Sequence, residues 1–139
     1  MKYLLDTNIC VYLIRQKPPA LLQKFRQFAI DDIGISSITV AELQYGVYRS
    51  AQQANNQQAL EQFLIPLTIL DFDYDAAQAY GRLRAHLEAQ GTPIGSLDTL
   101  IAAHALVQQL TLVTNNIHEF ARVPGLTIED WSQAQSLSD

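Results

Sequence analysis

The sequence predicts an α/β domain of three layers, with helices on both faces of a mostly parallel sheet of four to five strands. Two observations predict it. Short apolar runs rich in branched residues recur between longer segments of helical periodicity, the alternation expected when parallel strands are joined by crossover helices. One helical segment, Leu100–Val107, is apolar nearly all round, as a helix enclosed by other elements would be. At 139 residues, 48% of them apolar and 17% charged, the chain is sized for one core, so residues 1–139 are expected to form a single domain.

In chain order, Tyr3-Leu4-Leu5 is the first strand and Ile9–Arg15 the first helix. Pro18-Pro19 opens a second helix reaching about Ala29, with Leu21, Leu22, Phe25 and Phe28 on one stripe, proline being favoured in a first turn. Ile33–Ser36 is the second strand, and helices over Thr39–Tyr48 and Asn55–Leu64 follow it. The Gln/Asn-rich stretch Gln52–Gln58 leads into the latter as an exposed start. Leu67–Leu70 is the third strand, Asp75–Gln90 a helix stopped by Gly91, where a left-handed residue is favoured. Ser96–Gln109 is the sixth helix, and Leu110–Val113 and Leu126–Ile128 complete the sheet. Runs this apolar suit strands covered on both faces.

Several classes are excluded. One cysteine, Cys10, allows neither a disulfide framework nor a cysteine zinc site. No apolar run approaches the roughly 18–20 residues of a membrane span, and an acid at Asp6 interrupts the N-terminus too early for a signal peptide. A soluble cytoplasmic protein is expected. The net charge is −5 and the nine bases are scattered, so the basic stripe of a nucleic-acid-coating protein is missing. An enzyme that meets phosphate through a metal ion remains compatible with this balance.

Four carboxylates occupy unusual places. Asp6 closes the first strand, Glu42 follows the second, Asp98 opens the buried helix, and Glu119 follows the fourth strand. Each has a local structural reading. Thr39-x-x-Glu42 and Asn116-x-x-Glu119 have the form of capping boxes, Ser96 is a plausible cap with Asp98 facing the helix dipole, and Asp6 suits the start of the first helix. Together they read differently. A parallel sheet would bring them to one edge, where ligands bind α/β folds. Helix N-termini relieve only about 0.3–1 kcal/mol of such repulsion each, and a divalent cation would relieve the rest. An all-oxygen set suits Mg²⁺ or Mn²⁺, and such a site hydrolyses phosphate esters.

These residues also carry a resemblance. Leu5-Asp6-Thr7-Asn8, Ser36-x-x-Thr39-x-x-Glu42-Leu43-x-x-Gly46, Gly91-x-x-Ile94-Gly95-x-x-Asp98-x-x-Ile101-Ala102-Ala103 and Val113-Thr114-Asn115-Asn116 stand in order along nearly the whole chain. As an ordered set they resemble the PIN-domain nucleases, and among them the VapC toxins of bacterial type II toxin–antitoxin pairs. The ending Phe120–Trp131 is similar to the enterobacterial branch. The resemblance implies a PIN-like fold, Mg²⁺-dependent endoribonuclease activity, a homodimer, and neutralisation by a VapB-type antitoxin, with DNA met only through the antitoxin complex. It implies initiator tRNA, cut in the anticodon stem-loop, as substrate. On this reading Asp6, Glu42 and Asp98 hold the metal and Glu119 or Asn116 completes the shell. Thr7, Asn8, Thr114 and Asn116 orient ligands or meet substrate. Many PIN domains carry Asp where this chain has Asn116.

A second reading is a catalytically weak PIN-like module that regulates DNA with its antitoxin. A phospho-acceptor receiver domain would need a late lysine, and the last lysine is Lys24. Cys10 and His104 read as core residues, His86 as exposed, and His118 as a neighbour of the site. Asp71, Asp73 and Asp75 read as a turn and a helix cap. Arg82 and Arg84 do not share one helix face.

Overall fold

The computed structural model describes residues 1–132. Five parallel strands form one sheet in the order β3-β2-β1-β4-β5, where β1 is Tyr3–Leu5, β2 Ile33–Ser36, β3 Thr68–Leu70, β4 Thr111–Val113 and β5 Ile128–Glu129. The chain winds outward from β1 to β3, then returns to the other side of β1 for β4. The order therefore reverses between β1 and β4, the place where crossover connections diverge and leave a crevice at the carboxyl ends.

Alternation along β1 divides the core. Leu5 faces a cluster with Ile9, Cys10 and Leu13 of α1 (Thr7–Arg15), Leu21 of α2 (Pro19–Arg26), Leu43 and Val47 of α3 (Ser37–Arg49) and Leu60 of α4 (Gln53–Leu64). Leu4 faces the opposite cluster, with Leu83 and Leu87 of α5 (Tyr74–Ala89) and Ile101, Ala102 and Ala105 of α6 (Ser96–Gln108). The three expected layers follow from this two-residue period. A short α7, Ile117–Phe120, crosses beyond β4. Cys10 and His104 are buried and His86 is exposed, as the sequence indicated.

Three local differences have physical causes. Helix α3 begins at Ser37 rather than Thr39, because Ser36, the last residue of β2, caps it by accepting the Ile38 N–H at 3.0 Å. Helix α6 is entered through Gly95, not capped by the Ser96 hydroxyl, and α2 stops at Arg26, short of Ala29. Strand β3 lies at the edge of the sheet with Thr68 and Ile69 exposed, so it is not covered on both faces. Asp73 does cap α5, accepting the Ala76 N–H at 3.0 Å.

Helix α6 ends on Gln109 at φ 57°, and its N–H reaches back to the Ala105 and Leu106 carbonyls. A left-handed conformation costs a side-chain-bearing residue about 1–2 kcal/mol, partly offset in glycine by greater unfolded-state entropy. Gln109→Gly is expected to raise stability by roughly 0.5–1 kcal/mol, measured by urea unfolding.

Candidate metal centre

Asp6 stands at the carboxyl end of β1, beside the point where strand order reverses. Its backbone continues the ladder, N–H to the Val113 carbonyl at 3.0 Å. Its extended φ and ψ then release the chain into α1, and Oδ1 accepts the Ile9 N–H at 2.8 Å. The capping role is therefore real. The other oxygen is free for a second role: Oδ2 accepts the Thr114 hydroxyl at 2.5 Å. Only 5% of Asp6 is exposed. Burial pushes its carboxyl up to about 6, against the two hydrogen bonds, while Glu42 and Asp130 add repulsion.

Thr114 stands one strand over, just past β4, and is wholly buried. Its oxygen accepts the Asn116 N–H at 2.9 Å while its proton goes to Asp6. The Asn116 side-chain amide donates to Glu119 Oε2 at 2.5 Å, and Glu119 Oε1 accepts the Gly95 N–H at 2.9 Å. One chain of hydrogen bonds thus runs from β1 through β4 to the start of α6. Glu119 does not close a capping box with Asn116, because its carboxylate is taken by Gly95, 24 residues away in sequence.

Asp98 lies in the first turn of α6, half-buried, with Glu119 in hydrogen-bonding reach. A Cβ placed on Gly95 would stand 3.7 Å from Asp98 Oδ2 and 3.8 Å from Glu119 Oε1, so both carboxylates crowd the same backbone position. The pair is unequal. Burial, then Glu119, Asp6 and Glu42, push Asp98 up to about 7. The Gly95 N–H holds Glu119 below the usual carboxylate range. The shared proton therefore resides on Asp98.

Glu42 sits in the second turn of α3, not at a cap position, since the helix already started at Ser37. The Thr39-x-x-Glu42 capping box is thereby overturned: Thr39 is buried within the first turn, and Glu42 Oε1 accepts the Thr7 hydroxyl at 2.6 Å. Thr7 also lies 3.3 Å from the Thr39 hydroxyl, joining α1 to α3. Asn8 is exposed beside Thr7, and His118 is exposed on α7. Asp71, Asp73 and Asp75 lie at the start of α5, where Asp73 serves as its cap.

The structure brings Asp6, Glu42, Asp98 and Glu119 within electrostatic reach of one another. Among the described residues, no three Asp, Glu, His or Cys side chains close into a ready ligand cage. The donor set nonetheless fits a hard divalent cation: every donor is oxygen, and two carboxyls are raised partly by their neighbours' charge. Asp130 is the acid that sequence reasoning passed over. It follows β5 as Asp6 follows β1, adds to the potential at Asp6, and accepts the Ser132 N–H at 2.8 Å. Its strand-end position was the available signal.

The profile described as PIN domain matches residues 3–126. Ribonuclease VapC2 of Rickettsia felis is 48% identical over 134 residues, spanning 96% of this chain and 100% of that protein. The tRNA(fMet)-specific endonuclease VapC of Salmonella typhimurium is 43% identical, spanning 94% and 98%. In structure, the chain superimposes on DNA-bound VapBC from Salmonella typhimurium with a TM-score of 0.90 at 43% identity, covering 94% of this chain and 98% of that one. The chain belongs to the PIN-domain family, in its VapC branch.

Because Asp6 has a folded-state value above its unfolded one, the folded chain binds more protons than the unfolded chain between about 4 and 6. Stability is therefore full below about 4 and falls as pH rises through about 6. In EDTA, the melting temperature is expected to drop across this window, by the equivalent of about 2 kcal/mol for Asp6. Added Mg²⁺ should flatten the profile. A melting temperature rising with pH in EDTA would contradict the burial of a repelled carboxylate.

Proposed function

We propose that the chain, as one PIN-like domain, is the toxin of a type II toxin–antitoxin pair and hydrolyses RNA phosphodiester bonds with a divalent cation. What carries this reading is the gathering of Asp6, Glu42, Asp98 and Glu119 at the carboxyl ends of the central strands, with two of the carboxyls held up by burial and mutual repulsion. Asp6, Glu42 and Asp98 would hold Mg²⁺ or Mn²⁺. Glu119, already charged, completes the set through Gly95, and Asn116 fixes its orientation. When bound, the cation polarises the phosphate and supplies an activated water.

The chain's own residues do the rest. Thr114 fixes one oxygen of Asp6 while the Ile9 N–H fixes the other, so this carboxylate keeps one orientation. Thr7 does the same for Glu42. Asp98, with its value near neutrality, is suited to release its proton when a cation arrives. Exposed Asn8 and His118 border the acids and are suited to meet substrate. The RNA we assign is tRNA, initiator tRNA first, in keeping with the tRNA(fMet)-specific endonuclease of Salmonella typhimurium, and the cut we assign lies in the anticodon stem-loop. The location we assign is the cytoplasm, where tRNA is met, and among the described residues no helix is long and apolar enough to cross a membrane.

The partner we assign is a VapB-type antitoxin. A groove of about 260 Å³ between α1, α3 and α4 is lined by Val11, Ile14, Leu43 and Leu60, and it opens onto Thr7 and Glu42. An antitoxin helix laid there could present a basic side chain to the acids, and DNA is then met through that complex. We also assign a homodimer, since Tyr45 and Tyr48 expose two aromatic rings on α3 and Ile69 and Tyr74 expose apolar surface on β3 and α5.

Purified chain free of antitoxin should cut tRNA with Mg²⁺ or Mn²⁺ and stop in EDTA. Asp6→Asn should be inactive, which also controls for contaminating nucleases. Glu42→Gln should fold with stability within about 1 kcal/mol of the parent, as expected of a residue away from the cap, yet lose most cleavage and no longer arrest growth. Full activity in stable Glu42→Gln would remove Glu42 from the site.

For assembly, light scattering at micromolar concentration should give a dimer mass, and Tyr45→Glu with Tyr48→Glu should shift it to monomer. A monomer in the parent protein would refute the dimer.

A further inference from the structure

His104 is wholly buried in α6, and the chemistry above does not use it. Its Nδ1 lies 2.9 Å from the hydroxyl of Ser36, itself wholly buried. Ser36 already spends one lone pair on the Ile38 N–H, as the cap of α3. A hydroxyl has a single proton, and Nδ1 is the ring acceptor within its reach. With that proton directed at Nδ1, the imidazole is the neutral tautomer carrying its own proton on Nε2. Burial lowers the His104 value against the pull of Asp73 and Asp71, so the ring stays neutral. Phe72 meets the ring edge-on at 5.3 Å. Nε2 is buried without a hydrogen-bond partner.

We propose that His104 is a positioning residue for the acid site, tying the cap of α3 to the middle of α6 so that Glu42 and Asp98 are held in one fixed relation. Ser36 stands six residues before Glu42, and His104 six residues after Asp98. Each acid is therefore about 9 Å along its helix from the tie. Helices α3 and α6 already touch elsewhere, and a buried tie between them restricts how far the groups they carry can shift, while cation sites require placement to about 0.5 Å. An apolar residue at position 104 would fill the core but leave the Ser36 proton without an acceptor in a site closed to water. The proposal rests on the reading that Glu42 and Asp98 serve one cation.

Two measurements test it. In the intact protein with ¹⁵N-labelled histidine, NMR should show His104 with Nε2 protonated and Nδ1 bare; the reverse tautomer overturns the tie. Next, His104→Leu and His104→Asn are made with and without Ser36→Ala. Each is read by Mn²⁺ titration calorimetry without RNA, by kcat and KM on tRNA, and by melting temperature. His104→Leu should weaken Mn²⁺ binding and lower kcat by roughly 10- to 100-fold, leaving KM for RNA nearly unchanged. His104→Asn, which keeps an acceptor atom in the Nδ1 position, should recover most of both losses. Ser36→Ala combined with His104→Leu should be no worse than the poorer single variant. Parental Mn²⁺ affinity and kcat in His104→Leu, Asn as impaired as Leu, or losses that add would each overturn the proposal. If His104→Leu fails to fold, comparison of His104→Asn with Ser36→Ala decides: the first must retain Mn²⁺ affinity and the second must lose it. If the parent protein cuts no RNA, the functional reading fails, while the tautomer and the Mn²⁺ affinities still decide the tie.

Discussion

A carboxylate held almost out of water at the end of the central strand is the constraint on which the rest of this structure depends. Asp6 is 5% exposed and has two hydrogen-bond donors, one from the backbone of α1 and one from Thr114. Those donors lower its value, and burial still outweighs them. A buried charge with incomplete compensation costs several kcal/mol, and the surroundings respond to that cost. Thr114 is fixed from behind by the Asn116 N–H, so its proton has one direction to go. The backbone of Asp6 stays in the β1–β4 ladder, and turning the carboxylate out to solvent would give up both of its side-chain hydrogen bonds.

The second pair distributes charge differently. Asp98 and Glu119 stand close enough to share a proton, and the backbone decides which keeps it. The Gly95 N–H at the entry to α6 stabilises charge on Glu119, so the proton falls to Asp98. The same arrangement gives Asn116 a clear place in the site. Its amide donates to Glu119, which an Asp at this position could not do while charged. Asn here and Glu119 one turn later form one device, with the amide orienting the acid that carries the charge.

Much of this was legible in the sequence. The strand-to-helix alternation located all five strands, and the placement of Asp6, Glu42, Asp98 and Glu119 at element boundaries marked the edge where they meet. The start of α3 was not legible. Ser36, Ser37 and Thr39 can each cap a helix, and the spacing from Thr39 to Glu42 matched a capping box. The choice is made by tertiary contacts: Ser36 is held by His104, 68 positions away, and Glu42 is drawn to Thr7, 35 away. Likewise Glu119 chose Gly95 over Asn116's backbone for reasons no local pattern carries. Edge and centre were also hidden, because Leu67–Leu70 is as apolar as the inner strands and only the sheet order exposes it.

The sequence errors and the site share one origin. Residues that mislead a local reading here are those whose polar atoms are committed to distant partners: Ser36 to His104, Thr7 to Glu42, Thr114 to Asp6, Glu119 to Gly95. Each commitment uses a group near a helix start to fix a carboxylate or the helix that bears one. Both hydrophobic clusters lie against the sheet on either side and hold the elements that make these long-range contacts. Local capping alone would need no tertiary order. That these long-range commitments converge on one edge of the sheet, Ser36 keeping its cap while it makes one, is what distinguishes a collection of helix starts from a site built to concentrate negative charge.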